Sequence, residues 1–313
     1  MHLAVTGGAG FIGSNLVKRA LSAPEVESVT VLDDLSTGLI ANLAGLPITF
    51  VEGSCADPVA VKTAIEGVDA VVHLAALPSV SRSIADPLAS HSANATGSLI
   101  VLDQSVALGV QHVISASSSS VYGSNPALPK HEREWLRPMS PYAVSKLATE
   151  MYTLAYQDSF GLASMSFRFF NVYGPGQAAD HAYAAVVPAF VDALLSGEPL
   201  IVHGDGLQSR DFTFVGTVCE VLIDAVLRRL THPEAVNLAF GTRTTLLSLI
   251  DDLASVTGVE PEVRHVEPRA GDVRHSQADN ALLQRLFPSV VPVTLPKGLL
   301  DTVDWFRAAA LAK

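Results

Sequence analysis

Tyr142 and Lys146 lie four residues apart in Ser140-Pro141-Tyr142-Ala143-Val144-Ser145-Lys146, and a run of serines, Ser117 to Ser120, precedes them. A phenol, an ammonium and a hydroxyl gathered at one carbon form a set able to take a proton from an alcohol there. Ser140 suits a helix N-cap and Pro141 the first helical position, so the segment predicts a helix over 141–160. Residues i and i+4 share a helix face, which sets the lysine beside the tyrosine. An adjacent ammonium favours phenolate over phenol and predicts a Tyr142 pKa pulled down toward working pH.

Such a set needs a frame, and the chain start supplies its first element. The strand-like run His2-Leu3-Ala4-Val5-Thr6 leads into Gly7-Gly8-Ala9-Gly10-Phe11-Ile12-Gly13 and then a helical pattern. In the spacing G-x-x-G-x-x-G, Gly7 permits a tight turn, Gly10 lets backbone N–H groups approach a pyrophosphate, and Gly13 lets helix and strand pack closely. The anion then rests on a helix N-terminus, where unpaired donors and the helix dipole favour negative charge. A second apolar strand, Val29 to Leu32, ends at Asp33-Asp34, about twenty residues beyond the last glycine, where a carboxylate accepts from adenosine ribose hydroxyls. Leu35-Ser36-Thr37-Gly38 follows with no arginine for a 2′-phosphate, so the expected cofactor is NAD rather than NADP, held by Asp33, with Asp34 in solvent.

Further β-like runs at 48–52, 70–74, 112–116 and 163–168 alternate with helical stretches at 57–66, 87–108 and 141–160. Alternation of this kind predicts an α/β fold, a Rossmann-like doubly wound parallel sheet with right-handed crossovers. Ligands then lie beyond the carboxyl ends of the strands, which Ala75-Ala76-Leu77 and the serine run occupy. From about Asn171 glycines, prolines and polar turns interrupt helical segments at 184–196, 214–230 and 245–257. A first domain is expected over 1–170 plus roughly 209–240, and a smaller α/β substrate-binding domain over 171–208 plus 241–313.

The 313 residues, 49% hydrophobic and 16% charged, exclude a disordered chain. A mean hydropathy of +0.34 arises without a run of eighteen apolar residues, so neither a membrane span nor a signal peptide is expected. A net charge of −11 without a basic tract argues against nucleic acid. Cys55 and Cys219 form no disulfide framework, the ten histidines have no metal-ligand spacing, and a cytoplasmic protein without metal is expected.

Together these residues resemble the extended short-chain dehydrogenase/reductase superfamily and, within it, the nucleotide-sugar 4-epimerases. The blocks that carry the likeness are Thr6 to Gly13, Ala116-Ser117-Ser118-Ser119-Ser120-Val121-Tyr122-Gly123, Tyr142 to Lys146, Arg168-Phe169-Phe170-Asn171-Val172-Tyr173-Gly174, Ser209-Arg210-Asp211-Phe212 and Arg269-Ala270-Gly271-Asp272-Val273-Arg274-His275. The resemblance implies that Ser118 is the hydroxyl on the sugar O4, Tyr142 the base, and Lys146 the group that binds the nicotinamide ribose and holds the tyrosine pKa low. It implies NAD contacts from Gly7, Gly10, Phe11, Ile12, Asp33, Ser36, Thr37, Leu74, Ala75, Ala76 and Asn94. It implies a UDP-sugar substrate held by Ser119 and Ser120 in the sugar pocket, with Val186 and Ser276 beside it. Asn171, Arg210 and Arg269 would take the diphosphate and Asp272 the uridine ribose. A homodimer through the helices at 87–108 and 141–160 is implied as well.

Three departures from the family pattern matter. Ser54 replaces an aspartate near the adenine, and Gly216 stands where an acidic residue is frequent. Ser276 stands where some UDP-glucose enzymes carry a tyrosine, which resembles epimerases that accept 2-acetamido sugars, as do Pro78 to Ile84 and Gln177 to Pro188. A UDP-glucuronate 4-epimerase, with Arg82 or Ser118 to Ser120 on a carboxylate, is the alternative. A 4,6-dehydratase needs an Asp-Glu pair where this chain has Ser119-Ser120. A UDP-glucuronate decarboxylase and a non-catalytic NAD-bound sensor complete the alternatives.

Overall fold

The structure, a computed structural model, describes residues 1–179, 185–268 and 274–311. In the first half, strands β1 (His2–Thr6), β2 (Ser28–Asp33), β3 (Thr49–Glu52), β4 (Ala70–His73), β5 (His112–Ser118) and β6 (Ser164–Phe169) alternate with helices. With the short strand Val236–Leu238 they form one sheet, every pairing parallel, in the order β3-β2-β1-β4-β5-β6 and then Val236–Leu238. Parallel strands covered on both faces are buried along their length, as β4 and β6 are at every position, with the polar His73, Ser164, Ser166 and Arg168 hydrogen-bonded within them. The Rossmann-like α/β class read from the sequence is the class observed.

Helix α1 (Phe11–Leu21) follows β1, α2 (Pro58–Ile65) follows β3, and α3 (Val80–Ala85), α4 (Pro87–His91) and α5 (Gly97–Ala107) lie between β4 and β5. The helical stretch expected over 87–108 is observed from Pro87 to Ala107, with one turn of π spacing inside it at Ser92–Thr96. Asn94 lies in that turn. Its side chain turns aside to bond the backbone of Leu77, while its carbonyl accepts the hydroxyls of Ser98 (2.5 Å) and Thr149 (3.3 Å). Helix α6 (Pro141–Phe160) spans the predicted range. The Ser140 hydroxyl accepts from Ala143 N–H at 3.1 Å, and Gly161 closes the helix in the left-handed region at φ 68°.

The chain forms two compact units: Met1–Pro126 with Glu132–Phe169 and Cys219–Leu238, and Ala127–His131 with Phe170–Val218 and the residues from Ala239 onward. The second is built from two-stranded pairings: 171–173 with 212–214, 209–210 with 244–245, and 200–203 with 263–266. Tyr173, Phe190, Val191, Leu249, Leu253 and Leu299 lie in its core. The Gly216 departure has a packing cause, since a Cβ there would stand 2.8 Å from Cε1 of Phe214, whose ring packs edge-on against Tyr173. Among the described residues no helix is long and apolar enough to cross a membrane, and no cluster of three His, Cys, Asp or Glu could hold a metal ion.

Candidate active site

The glycine loop divides its labour by position. Gly7 has φ 71°, and a Cβ there would lie 2.7 Å from Ala75 N. A Cβ on Gly13 would collide with the Gly7 carbonyl oxygen, so close helix–strand packing requires that glycine. One on Gly10 would meet only that same oxygen, at 3.3 Å, leaving the loop open on that side. Gly10 starts α1 with no side-chain cap and no acidic residue in the first turn, so the helix dipole and first N–H groups are left to an anion. This cradle fits the pyrophosphate of NAD.

Asp33, at the end of β2, is buried. Its carboxylate accepts from Ala9 N–H and from Leu35 N–H, each at 2.9 Å. Burial pushes its pKa up against those two bonds. Each oxygen keeps a lone pair for a ribose hydroxyl. Asp34 is exposed and accepts from the N–H and hydroxyl of Ser36, and Thr37 is exposed beside them. Leu74 N–H donates to the Thr6 carbonyl and Ala75 N–H to the Thr6 hydroxyl, so the segment Leu74 to Ala76 is fixed to the end of β1.

Beneath that segment runs a buried chain of polar groups. His73 pairs through Nδ1 with the Thr6 hydroxyl (2.7 Å) and through Nε2 with the Ser98 hydroxyl (2.9 Å). Ser98 donates to the Asn94 carbonyl, so it accepts from His73 Nε2–H, and Nδ1 accepts from Thr6. Burial pushes His73 down to about 3, and the ring is neutral. Asn94 also donates to the Ser145 hydroxyl on α6 at 2.9 Å.

Tyr142 and Lys146 stand one turn apart on α6, the tyrosine half-buried and the lysine buried. Lys146 Nζ donates to the Ala116 carbonyl at 2.7 Å, and the Ser118 side chain interacts with the Tyr142 hydroxyl. The structure brings Ser118, Tyr142 and Lys146 together but corrects the expected electrostatics. Burial pushes the tyrosine pKa up, with Ser118 working the other way, rather than Lys146 pulling it down. Burial also lowers Lys146 to about 8, because removing water penalises both charged forms alike.

Glu150, one further turn along the same face, was not singled out by sequence reading. Its carboxylate takes two bonds from Arg168 of β6, Nη2 at 2.6 Å and Nε at 2.9 Å, and one from the Ser117 hydroxyl at 2.7 Å. Arg168 Nη1 also donates to the Tyr122 hydroxyl and the Glu132 carbonyl, and Tyr122 donates to Asn237. The pair is buried, at 4% and 1% exposure, and every arm is satisfied. Its sequence signal was available: Tyr142, Lys146 and Glu150 continue one i, i+4, i+8 row.

In the second unit, Asn171 N–H bonds the Asp211 carbonyl, and the Asp211 side chain accepts from Ala278 N–H and the Thr242 hydroxyl. Burial pushes Asp211 up to about 6. Val186 opens the helix at 186–196, and Ser276 N–H donates to the Ser209 carbonyl. Arg210 Nη1 donates to the carbonyls of Ser209 and Arg274. Arg243, opposite this strand, donates through Nε to the Ser209 hydroxyl at 3.2 Å, and His275 Nδ1 lies 2.9 Å from that hydroxyl. Burial and the charges of Arg243, Arg274 and Arg210 push His275 down. Three arginines therefore gather near one histidine, with Asp205 paired to Arg274. Arg243 escaped sequence reading because strand pairing, not spacing, brings it to Ser209. Arg269 and Asp272 lie outside the described residues.

Known proteins share this frame. The sequence profile of the NAD dependent epimerase/dehydratase family matches residues 3–239. A UDP-glucose 4-epimerase of Mycolicibacterium smegmatis is 35% identical over 98% of this chain and 99% of its own length. A dTDP-glucose 4,6-dehydratase of Streptomyces niveus is 32% identical over 98% and 93%. Among solved structures, UDP-N-acetylglucosamine 4-epimerase from Methanobrevibacter ruminantium, in complex with UDP-N-acetylmuramic acid, superposes with a TM-score of 0.92 at 35% identity. It covers 98% of each chain.

Proposed function

The chain belongs to the NAD dependent epimerase/dehydratase family, and from that premise we propose that it is a UDP-sugar 4-epimerase, inverting C4 through a transient 4-keto sugar. NAD, when bound, supplies the acceptor that takes a hydride from the sugar C4 and returns it. Gly7, Gly10, Phe11 and Ile12 would hold its pyrophosphate, Asp33, Ser36 and Thr37 its adenosine ribose, and Leu74, Ala75, Ala76 and Asn94 the path toward the nicotinamide. Lys146, anchored on the Ala116 carbonyl, keeps further N–H donors for the nicotinamide ribose.

Tyr142 removes the O4 proton, and Ser118 donates to the oxygen that gains negative charge. Ser119 and Ser120 border the hexose. Asn171 and Arg210, with Arg269, grip the diphosphate, Asp272 the uridine ribose, and Val186 and Ser276 flank the sugar. Firm binding remote from the reacting carbon leaves the keto sugar free to turn and receive hydrogen on its other face.

One observation carries the choice of epimerase: Ser118, in reach of Tyr142, is followed by two hydroxyls and no acid–base pair to eliminate water. The small Ser276 and the 35% identity to a UDP-N-acetylglucosamine epimerase support 2-acetamido hexoses as substrates beside UDP-glucose. Incubation with UDP-glucose, UDP-N-acetylglucosamine and UDP-glucuronate, followed by separation of products by C4 configuration, tests this. A deoxy-keto product would mean a dehydratase, a pentose a decarboxylase, and no conversion would remove the reading. Val144, Met151 and Tyr152, exposed on α6, support pairing of two chains through that helix, which light scattering decides.

A further inference from the structure

The four serines after Ala116 do different work. Ser117 points its hydroxyl into the core, onto Glu150. Ser118 is extended, at φ −150° and ψ 147°, and starts the tight turn Ser119–Tyr122, an arrangement that folds Ser120 back over it. Ser118 Oγ then accepts twice from the same residue, from Ser120 N–H at 3.1 Å and from the Ser120 hydroxyl at 2.9 Å. A serine oxygen has two lone pairs and one proton. With both lone pairs filled, Ser118 can enter any further bond only as a donor.

We propose that Ser120 is a positioning residue that sets the polarity of Ser118, obliging it to donate its proton to the Tyr142 oxygen or, in turn, to the sugar oxygen. The inference rests on the reading of Tyr142 as the base. A donor aimed at the tyrosine oxygen stabilises phenolate, the form able to take the O4 proton. It works against the burial that pushes Tyr142 up. With the Ser120 hydroxyl gone, one Ser118 lone pair opens and the serine can instead accept from the neutral phenol. The protonated base is then favoured. The backbone bond from Ser120 N–H remains available in Ser120→Ala and Ser120→Thr, so the turn keeps its shape and only the polarity changes.

The test is an ultraviolet difference titration of tyrosinate in the NAD-bound protein, with Tyr142→Phe as the blank. Ser120→Ala is expected to move the Tyr142 midpoint up by about one pH unit, and Ser120→Thr to restore it. The acid limb of the kcat/KM profile should move by the same amount, with NAD content unchanged. Because Ser120 acts through Ser118, Ser120→Ala should add no shift in a Ser118→Ala background. An unshifted midpoint in Ser120→Ala, additive shifts in the double variant, or a change confined to KM would each overturn the assignment. The titration needs no turnover, so it still decides the point if no UDP-sugar is converted and the epimerase reading fails.

Discussion

The two units use polar groups in opposite ways. Around Tyr142 and Lys146 the polar side chains are buried and mutually satisfied: Asn94 with Leu77 and Ser145, His73 with Thr6 and Ser98, Glu150 with Arg168 and Ser117. In the second unit Arg210, Arg243 and Arg274 gather like charge near Ser209 and His275, with Asp205 as the carboxylate paired to Arg274. The difference suits the tasks proposed for the two units. A proton is transferred over a few tenths of an ångström, so its base must be held rigidly. A diphosphate is gripped by charge, which acts over a longer reach and tolerates looser placement.

Tyr142→Phe is the most severe way to break the rigid half. Turnover should fall about 1000-fold with NAD still bound, measured by single-turnover assay and cofactor content. Next is Arg168→Met, which strands the Glu150 charge in the interior. It should lower stability by about 3–5 kcal/mol in denaturant unfolding, and Arg168→Met/Glu150→Leu should recover much of that loss. Arg243→Ala addresses the other half. The KM for UDP-sugar should rise about tenfold with kcat nearly unchanged, and the effect should shrink as salt rises. An equal loss in kcat would show that this cluster also positions, and the contrast would dissolve.

The smallest effect is a pair of opposed pH dependences. Lys146 is lowered to about 8 from an unfolded value near 10.5, so its contribution to stability is present above 10.5 and lost as pH falls through 8. Asp211 is raised to about 6 from 3.8, so its contribution is present below 3.8 and lost as pH rises through 6. Thermal midpoints from pH 4 to 10 should lose the alkaline gain in Lys146→Met and the acid gain in Asp211→Asn.

The sheet and the helix of Tyr142 were legible because their signals are local: short β-like runs, and Ser140-Pro141 at the start of the helix. The glycine loop was legible for the same reason. Long-range arrangements were not. The helix Leu295–Leu311 carries Pro296 and Gly298 near its start, and the glycine is required by the rings of Tyr173 and Phe214 against it. The direction of the Tyr142 shift was misjudged because spacing reveals a neighbouring charge but not how much water burial removes. Arg243 and Glu150 act through partners 34 and 18 residues away, distances at which a linear reading has no purchase.

The π-spaced turn at Ser92–Thr96 acts as a phase shifter. It holds one residue more than an α-turn, so deleting Ala95 would let α4 and α5 fuse into a single regular rod. Because the wider turn absorbs that extra residue, the segments on either side would keep their phase, whereas the same deletion elsewhere in the helix would swing one side by about 100° relative to the other and turn Ser98 away from His73.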